Sequence, residues 1–376
     1  MRAVLNISIA LLLSTSTAQA VARIDYIAHA CFRIESDAGH SVVIDPYNTN
    51  RWLGYHFPPD ISASAVLITH PHYDHDASYY WSSDVPVFRA AGEYSVGDIR
   101  IVGLAGSHAE PYGKEFGQLN TVWLVEVDGV RILHVGDSGL LSDEIVSRVG
   151  RVDVLMLPVD DLDHILKRGE IEEMRRHLKP SVVVPMHYRL EVLSKLPESV
   201  GPIDEWLTRQ ANVRRLESST VLLKEEGLGA ESEVYVFTPS PAVTPWSAEL
   251  HRAWASRDAA RASDDESAKV RLLTKAQTLA PGVLPFSVEL AEALFAADQQ
   301  SQAKALLQSA LAGAGQGDWE YRNRGRILLA RIYSEDGNSE AAAKQYQVVL
   351  KEAFRTAWRD EAQGFFSTSS DKPLRQ

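Results

Sequence analysis

The chain has 376 residues, 45% of them hydrophobic and 23% charged, with a formal net charge of −12 at pH 7. That length and apolar content can fill more than one core, while so acidic a balance argues against a nucleic-acid or anionic-membrane binder. Cys31 is the single cysteine, which excludes an internal disulfide.

Residues 1–20 read as a cleavable signal peptide. Arg2 supplies the positive start, Ala3 to Leu13 a short apolar run, and Ala18-Gln19-Ala20 a small-residue cleavage site. The run is too short to span a bilayer comfortably, and no other segment approaches the required length. The expected product is therefore periplasmic or secreted, starts near Val21, has no stable membrane span and carries a charge of −13 once Arg2 is lost.

From 21 to 237 the pattern is strand-rich. Residues 30–35, 41–44 and 66–68 are short apolar or alternating runs that end in polar or turn residues. Residues 121–127 and 130–135 predict a hairpin around Asp128-Gly129, a pair suited to the positive φ angles of a two-residue turn. Ser142 can cap a helix with Asp143 and Glu144 in its first turn. Residues 152–157 predict a buried strand, 170–178 a helix stopped by Pro180, and 182–184 a strand that delivers Pro185-Met186-His187.

The stretch FTPSPAVTP holds three prolines and no charge, which predicts an extended linker over 238–245. Residues 246–366 then show helical periodicity. Ala291, Ala303, Leu307 and Ala310 are matched 39 residues later by Ala330, Ala342, Tyr346 and Val349. This spacing resembles tetratricopeptide repeats, whose small residues let paired helices approach closely, and a weaker unit covers 246–281 with Ala276. Such helices predict either a groove for a protein partner or a cap on the neighbouring domain. Residues 367–376 are polar and predict a flexible tail.

The chemistry concentrates in LITHPHYDHDASYY, residues 67–80, where three histidines and two aspartates fall between His70 and Asp76. Pro71 biases His70 toward an extended conformation, so His70 and His72 project to one side. Asp74 and His75 follow as the chain turns, and Asp76 is placed to cap a helix from about Ala77. Imidazole with carboxylate suits zinc or a similar divalent ion, and two ions if further ligands converge. Further ligands are on offer in His108 of GSHAEPYGKEFGQLN, Asp137 of ILHVGDSG and His187 of VVVPMHYR.

That ordered set resembles the metallo-β-lactamase superfamily of metal-dependent hydrolases over roughly residues 24–223, THPHYDHD looking like its H-x-H-x-D-H motif. HACFRI, Ile44-Asp45-Pro46, HVGDSG and PMHY look closest to the branch that contains ascorbate-6-phosphate lactonase-like enzymes and N-acylphosphatidylethanolamine phospholipase D. The resemblance implies an α/β fold, an αββα sandwich over 21–237, followed here by an all-α helical-repeat domain. By matched positions it implies that His70, His72 and His108 hold one divalent ion, that Asp74, His75 and His187 hold a second, and that Asp137 bridges them. Zn2+ is the expected metal, with Mn2+ or Fe2+ as alternatives, and Asp74 and Asp137 are the expected catalytic carboxylates. A hydroxide held between the ions would attack a small lactone, ester, amide or phosphoester.

Around this set, His134 is expected to buttress the site. Asp45 is expected to orient a ligand imidazole or to end a strand, and His29 and Tyr188 to stand in the pocket or behind the ligands. Tyr112, Lys114 and Phe116 are further pocket candidates. The other histidines, His164 among them, match no motif and are expected on the surface or in the core. Asp160, Asp161 and Asp163 of PVDDLDHILKRG, a departure from the family pattern, read best as a solvated loop. The alternative function is a periplasmic partner-binding protein that uses its helical repeats, with a non-catalytic or sensory metal domain. The intact ligand set favours a hydrolase of a small-molecule substrate.

Overall fold

A computed structural model describes residues 20–49, 53–115, 117–194, 200–314, 318–353 and 356–370. The signal-peptide reading of 1–19 and the pocket reading of Phe116 lie outside these residues.

The chain opens with β1 (Ala22–Ala28), β2 (Cys31–Glu35), β3 (Ser41–Ile44), the short β4 (Tyr55–His56) and β5 (Ala65–Leu67). Then come β6 (Val87–Phe88), β7 (Gly92–Val96), β8 (Ile99–Ser107), β9 (Leu119–Val127) and β10 (Val130–His134). The domain continues through α1 (Asp143–Val149), β11 (Val154–Pro158), α2 (Arg168–Leu178), β12 (Val182–Met186) and α3 (Asp204–Leu207). It closes with β13 (Val213–Arg215), β14 (Thr220–Leu223), β15 (Glu233–Val236) and β16 (Thr244–Pro245).

One sheet has the order β14-β1-β2-β3-β5-β6 and the other β13-β15-β12-β11-β10-β9-β8-β7. Phe32, Ile44 and Leu67 of the first share one apolar core with Trp123, Leu133 and Leu155 of the second, giving an αββα sandwich. Strands β10, β11 and β12 run parallel, joined through α1 and α2. Burial on both faces explains why β11 and β12 read as continuous apolar runs, VLMLP and VVVPM. The site follows from this topology. Asp45 succeeds β3, His70 succeeds β5, Asp137 succeeds β10 and His187 succeeds β12, so the C-terminal ends of four strands deliver polar groups to one edge.

The helical part comprises α4 (Ala248–Arg261), α5 (Glu266–Leu279), α6 (Leu284–Ala296), α7 (Gln300–Gly313), α8 (Trp319–Glu335), α9 (Ser339–Glu352) and α10 (Thr356–Ser370). Ala291, Ala303 and Leu307 are buried between α6 and α7, and Ala330, Ala342, Tyr346 and Val349 between α8 and α9, where the 39-residue repeat puts them. Helices α4 and α5 form the weaker unit, with Ala276 fully buried. Glu289 of α6 locks three helices together, accepting hydrogen bonds from Arg257 (2.9 Å) and Arg261 (2.6 Å) of α4 and from the Tyr321 hydroxyl (2.6 Å) of α8.

Three expectations are corrected. The 238–245 segment is extended, yet it is no free linker: Val243 is buried in the sandwich core, the Ser240 N–H donates to Ile27 O at 2.9 Å, and β16 pairs with β4. Trp246 completes the joint through its indole N–H, 2.8 Å from Thr49 O. Proline-rich composition predicts extension, whereas docking depends on a partner strand some 190 residues earlier in the sequence. Residues 367–370 are not tail but the last turn of α10, while 371–376 lie outside the described residues. The helix foreseen from Ala77 is a single 3-10 turn, Ser78–Tyr80, whose N-cap position is Ala77; the Asp76 carboxylate, one residue earlier, accepts the Ser78 N–H at 3.4 Å, the Ser78 hydroxyl at 2.9 Å and the Arg89 guanidinium. Among the described residues no helix is long and apolar enough to cross a membrane.

Candidate metal centre

The turn after β5 is held from beneath by Asp45. Its carboxylate accepts the Thr69 N–H (2.8 Å), the Thr69 hydroxyl (2.7 Å) and Nδ1–H of His75 (2.7 Å). Asp45, His29 and His187 all take positive φ, at +48°, +58° and +59°. Left-handed backbone at a non-glycine residue is costly and persists where the surroundings over-determine it. Here it accompanies an Asp45 carboxylate turned to Thr69 and His75, a His29 ring turned to Asp74 and a His187 ring turned to Asp74 and Asp137.

Asp137 stands among four imidazoles. Its Oδ2 lies 3.8 Å from Nε2 of His70, 3.3 Å from that of His75, 3.7 Å from that of His108 and 3.2 Å from that of His187. Asp74 Oδ2 is 3.6 Å from His75 Nε2, 3.5 Å from His187 Nε2 and 3.2 Å from His29 Nε2. Three sets, His70/His72/His108, His70/His75/Asp137 and His29/Asp74/His75/His187, each have ligand atoms within 4.8 Å of one another.

The outward nitrogens of His70, His75 and His108 are engaged, whereas Nδ1 of His187 is buried without a hydrogen-bond partner. His70 Nδ1 meets the Thr69 hydroxyl at 3.0 Å, His75 Nδ1 meets Asp45, and His108 Nδ1 donates to Ala109 O at 2.9 Å. A ring that donates from Nδ1 offers a lone pair at Nε2. His72 is turned the other way, with Nε2 against the Gln118 amide, 3.1 Å from its oxygen and 3.0 Å from its nitrogen, which leaves Nδ1 facing the group. Nε2 of His70, His75, His108 and His187 and Oδ1 of Asp137 are buried without any hydrogen-bond partner. Unpaired buried polar atoms are expensive, and divalent cations between the rings and the carboxylates would satisfy all of them. The residues present therefore fit a metal site.

Electrostatics agree. Burial lowers the basicity of His70 and His108, brings His72 to about 4 and His29 to about 3, and so keeps these rings neutral. Burial also opposes protonation of His75 and His187, but Asp137 beside them outweighs it, and His187 is raised to about 9. Burial works against ionised Asp74 and Asp137 as well. The facing imidazoles, His75 for Asp74 and His187 for Asp137, prevail and hold both carboxyls well below the usual range. Two buried carboxylates thus demand positive charge, from protons on the rings or from cations.

The seven residues singled out in the sequence, His70, His72, Asp74, His75, His108, Asp137 and His187, all converge here. His134 stands behind them with both nitrogens in use, Nε2 on Ala30 O at 2.9 Å and Nδ1 on the Gly136 N–H at 3.2 Å. Tyr112 packs edge-on against His72 and His108, at 5.0 and 5.2 Å between ring centres, whereas Lys114 is exposed. Tyr188 is no pocket residue; it is buried in the sandwich core with its hydroxyl bonded to that of Tyr26.

Asp160 and Asp161 are not a solvated loop either. Asp160 is buried and accepts the N–H groups of Leu162, His164 and Gly201, while Asp161 accepts those of Glu205 and Trp206 at the start of α3. Sequence reasoning missed Gln118, Asn120 and His164. Asn120 binds the Asp137 N–H (3.1 Å) and Val135 O (2.8 Å), and His164 lies parallel to His187 at 5.8 Å. No local pattern marks these three, because their partners are distant in the chain.

A family model described as a β-lactamase superfamily domain matches residues 23–187. A metal-dependent hydrolase of Methanoculleus marisnigri is 30% identical over 191 residues, spanning 44% of this chain and 80% of that protein. One of Archaeoglobus fulgidus is 27% identical over 205 residues, spanning 47% and 87%. Among solved structures, a Thermotoga maritima protein assigned to the zinc-dependent hydrolases of the metallo-β-lactamase superfamily is similar at 25% identity and a TM-score of 0.46, over 58% of this chain and 100% of that one.

Proposed function

Because the chain belongs to the metallo-β-lactamase superfamily of metal-dependent hydrolases, we propose that it is a dinuclear hydrolase, most simply a zinc enzyme, of a small lactone, ester, amide or phosphoester. The observation that carries this reading is the position of Asp137 Oδ2, 3.2 to 3.8 Å from four buried imidazole nitrogens that have no hydrogen-bond partner. One cation would be held by His70, His72 and His108 and a second by Asp74, His75 and His187, with Asp137 between them. Divalent cations, when bound, supply Lewis acidity and make water a nucleophile at neutral pH.

The protein's own groups do the rest. Asp45, Thr69, the Ala109 carbonyl and Gln118 hold the tilt of four rings, so that entering cations would meet a preformed cradle and displace protons from it. Asp74 and Asp137 supply the negative charge that retains the cations. Arg2, the apolar run to Leu13 and Ala18-Gln19-Ala20 support export as part of the same proposal.

The test is hydrolysis of a lactone, ester and phosphodiester panel by the purified chain, with and without chelator. Chelator-sensitive turnover that disappears in Asp74→Ala is expected; turnover indifferent to both would overturn the proposal. A second reading, partner recruitment, is favoured by a cavity of about 320 Å3 on α6, α8 and α10, where Arg324 and Arg331 stand beside Trp358. Peptide-library capture by the full chain that fails in Trp358→Ala would support it; no capture would remove it.

A further inference from the structure

The loop after β11, PVDDLDHILKRG, does more than connect. Asp160, buried under it, accepts the His164 N–H at 3.0 Å, the Leu162 N–H at 3.1 Å and the Gly201 N–H at 2.8 Å, and Asp163 takes a positive φ of +51° just before His164. A carboxylate that fixes three amides makes the loop a rigid platform. What the platform presents is an exposed imidazole, parallel to the His187 ring within 14° and 5.8 Å away. Among the described residues no group hydrogen-bonds the His164 ring. The half-buried Tyr112 flanks the His72 side in the corresponding way. The centre thus has an aromatic wall on each side, and only one of the two is an imidazole with its polar atoms open to a ligand.

Charge narrows what that ligand is. Asp160, Asp161 and Asp163 lie on the same loop, where Arg168 is paired with Glu205 at 3.1 Å and Arg189 with Glu191 at 2.8 Å, which leaves the exposed Lys167 against three carboxylates. The exposed Leu162 adds an apolar side chain to the same platform. An approaching anion meets carboxylates here, whereas an uncharged oxygen meets a free hydrogen-bonding ring.

We propose that His164 is a substrate-contacting residue whose imidazole hydrogen-bonds an oxygen of an uncharged carbonyl substrate, an ester, lactone or amide, on the His187 side of the centre. This deepens the hydrolase reading and rests on it. It places the specificity of the hydrolase in the loop PVDDLDHILKRG.

The experiment compares the metal-loaded full chain with His164→Ala and His164→Asn on p-nitrophenyl acetate and on bis(p-nitrophenyl) phosphate, with metal content and melting temperature measured on each variant. The expected result is faster ester than phosphodiester hydrolysis by the wild type. His164→Ala should lose about tenfold or more in kcat/KM on the ester, the effect of one substrate hydrogen bond, with metal content and melting temperature unchanged. His164→Asn, which keeps a donor, should recover part of the loss. Ester turnover within twofold of wild type in His164→Ala would overturn the inference and leave the hydrolase reading intact. So would a preference for the phosphodiester, or loss of metal from the variant. No turnover of either probe by the metal-loaded wild type would instead sink the hydrolase reading, and this inference with it.

Discussion

Asp45 Oδ2 accepts Nδ1–H of His75 at 2.7 Å, with both side chains fully buried. The bond joins the end of β3 to the turn after β5 and aims Nε2 of His75 at Asp74 and Asp137. Asp45→Ala would leave this N–H and both Thr69 donors without an acceptor, at a cost of about 1–3 kcal/mol for each group that stays buried and unpaired. Asp45→Asn keeps one oxygen and should fold better. Both variants should bind zinc about 10- to 100-fold more weakly than wild type, as read by competitive titration. Wild-type affinity in either would contradict the orienting role.

Gly136 is held at φ +59°, and a Cβ there would lie 2.5 Å from Asn120 Oδ1 and 2.6 Å from Thr69 Cβ. Both neighbours serve the centre, Asn120 through the Asp137 N–H and Thr69 through Asp45. Gly136→Ala therefore combines a left-handed penalty of about 1–2 kcal/mol with displacement of a ligand's support. Thermal melts should show the loss of stability, and metal analysis a reduced occupancy. A variant with unchanged melting temperature and full metal content would refute this.

Glu289 sets a pH dependence in the helical part. Burial pushes its carboxyl up, but Arg257 and then Arg261 hold it at about 2, below the ordinary 4.5. A carboxyl whose pKa falls on folding adds stability above its unfolded value and loses it as pH drops through the folded one. Glu289→Gln should therefore cost on the order of 3 kcal/mol at pH 7, and the gap to wild type should close between pH 4.5 and 2. Denaturant melts across that range check it; a constant gap would contradict the assignment.

Trp246 is the joint between the two parts. Its backbone N–H donates to Gly54 O at 2.9 Å, its indole to Thr49 O at 2.8 Å, and its ring stacks on Trp254 at 5.7 Å. Trp246→Ala should cost about 3–5 kcal/mol and separate the unfolding of sandwich and helices in calorimetry. A single transition at the wild-type temperature would show that the joint is dispensable.

The parts of this structure legible in the sequence were those encoded locally. HPHYDHD displays four candidate ligands in one turn, Asp128-Gly129 announces its hairpin, and the alanines repeated at 39 residues mark where α6–α7 and α8–α9 touch. His108, Asp137 and His187 are scattered, and only their order within a known family pattern pointed to a shared site. Nothing local could place Gln118 on His72, Asn120 on Asp137 or His164 on His187, because each contact is made by folding distant strands to one edge. The proline-rich segment failed in the same way: extension is a property of its residues, but pairing with β4 belongs to the fold.

The proposed role of the four imidazoles around Asp137 is to hold cations. The most direct measurement is the metal content of the purified, dialysed chain beside that of His75→Ala and Asp137→Ala. Two divalent ions per chain are predicted for wild type, with at most one in His75→Ala and a further loss in Asp137→Ala. A correctly folded wild-type chain that retains no divalent metal after supplementation would contradict the account.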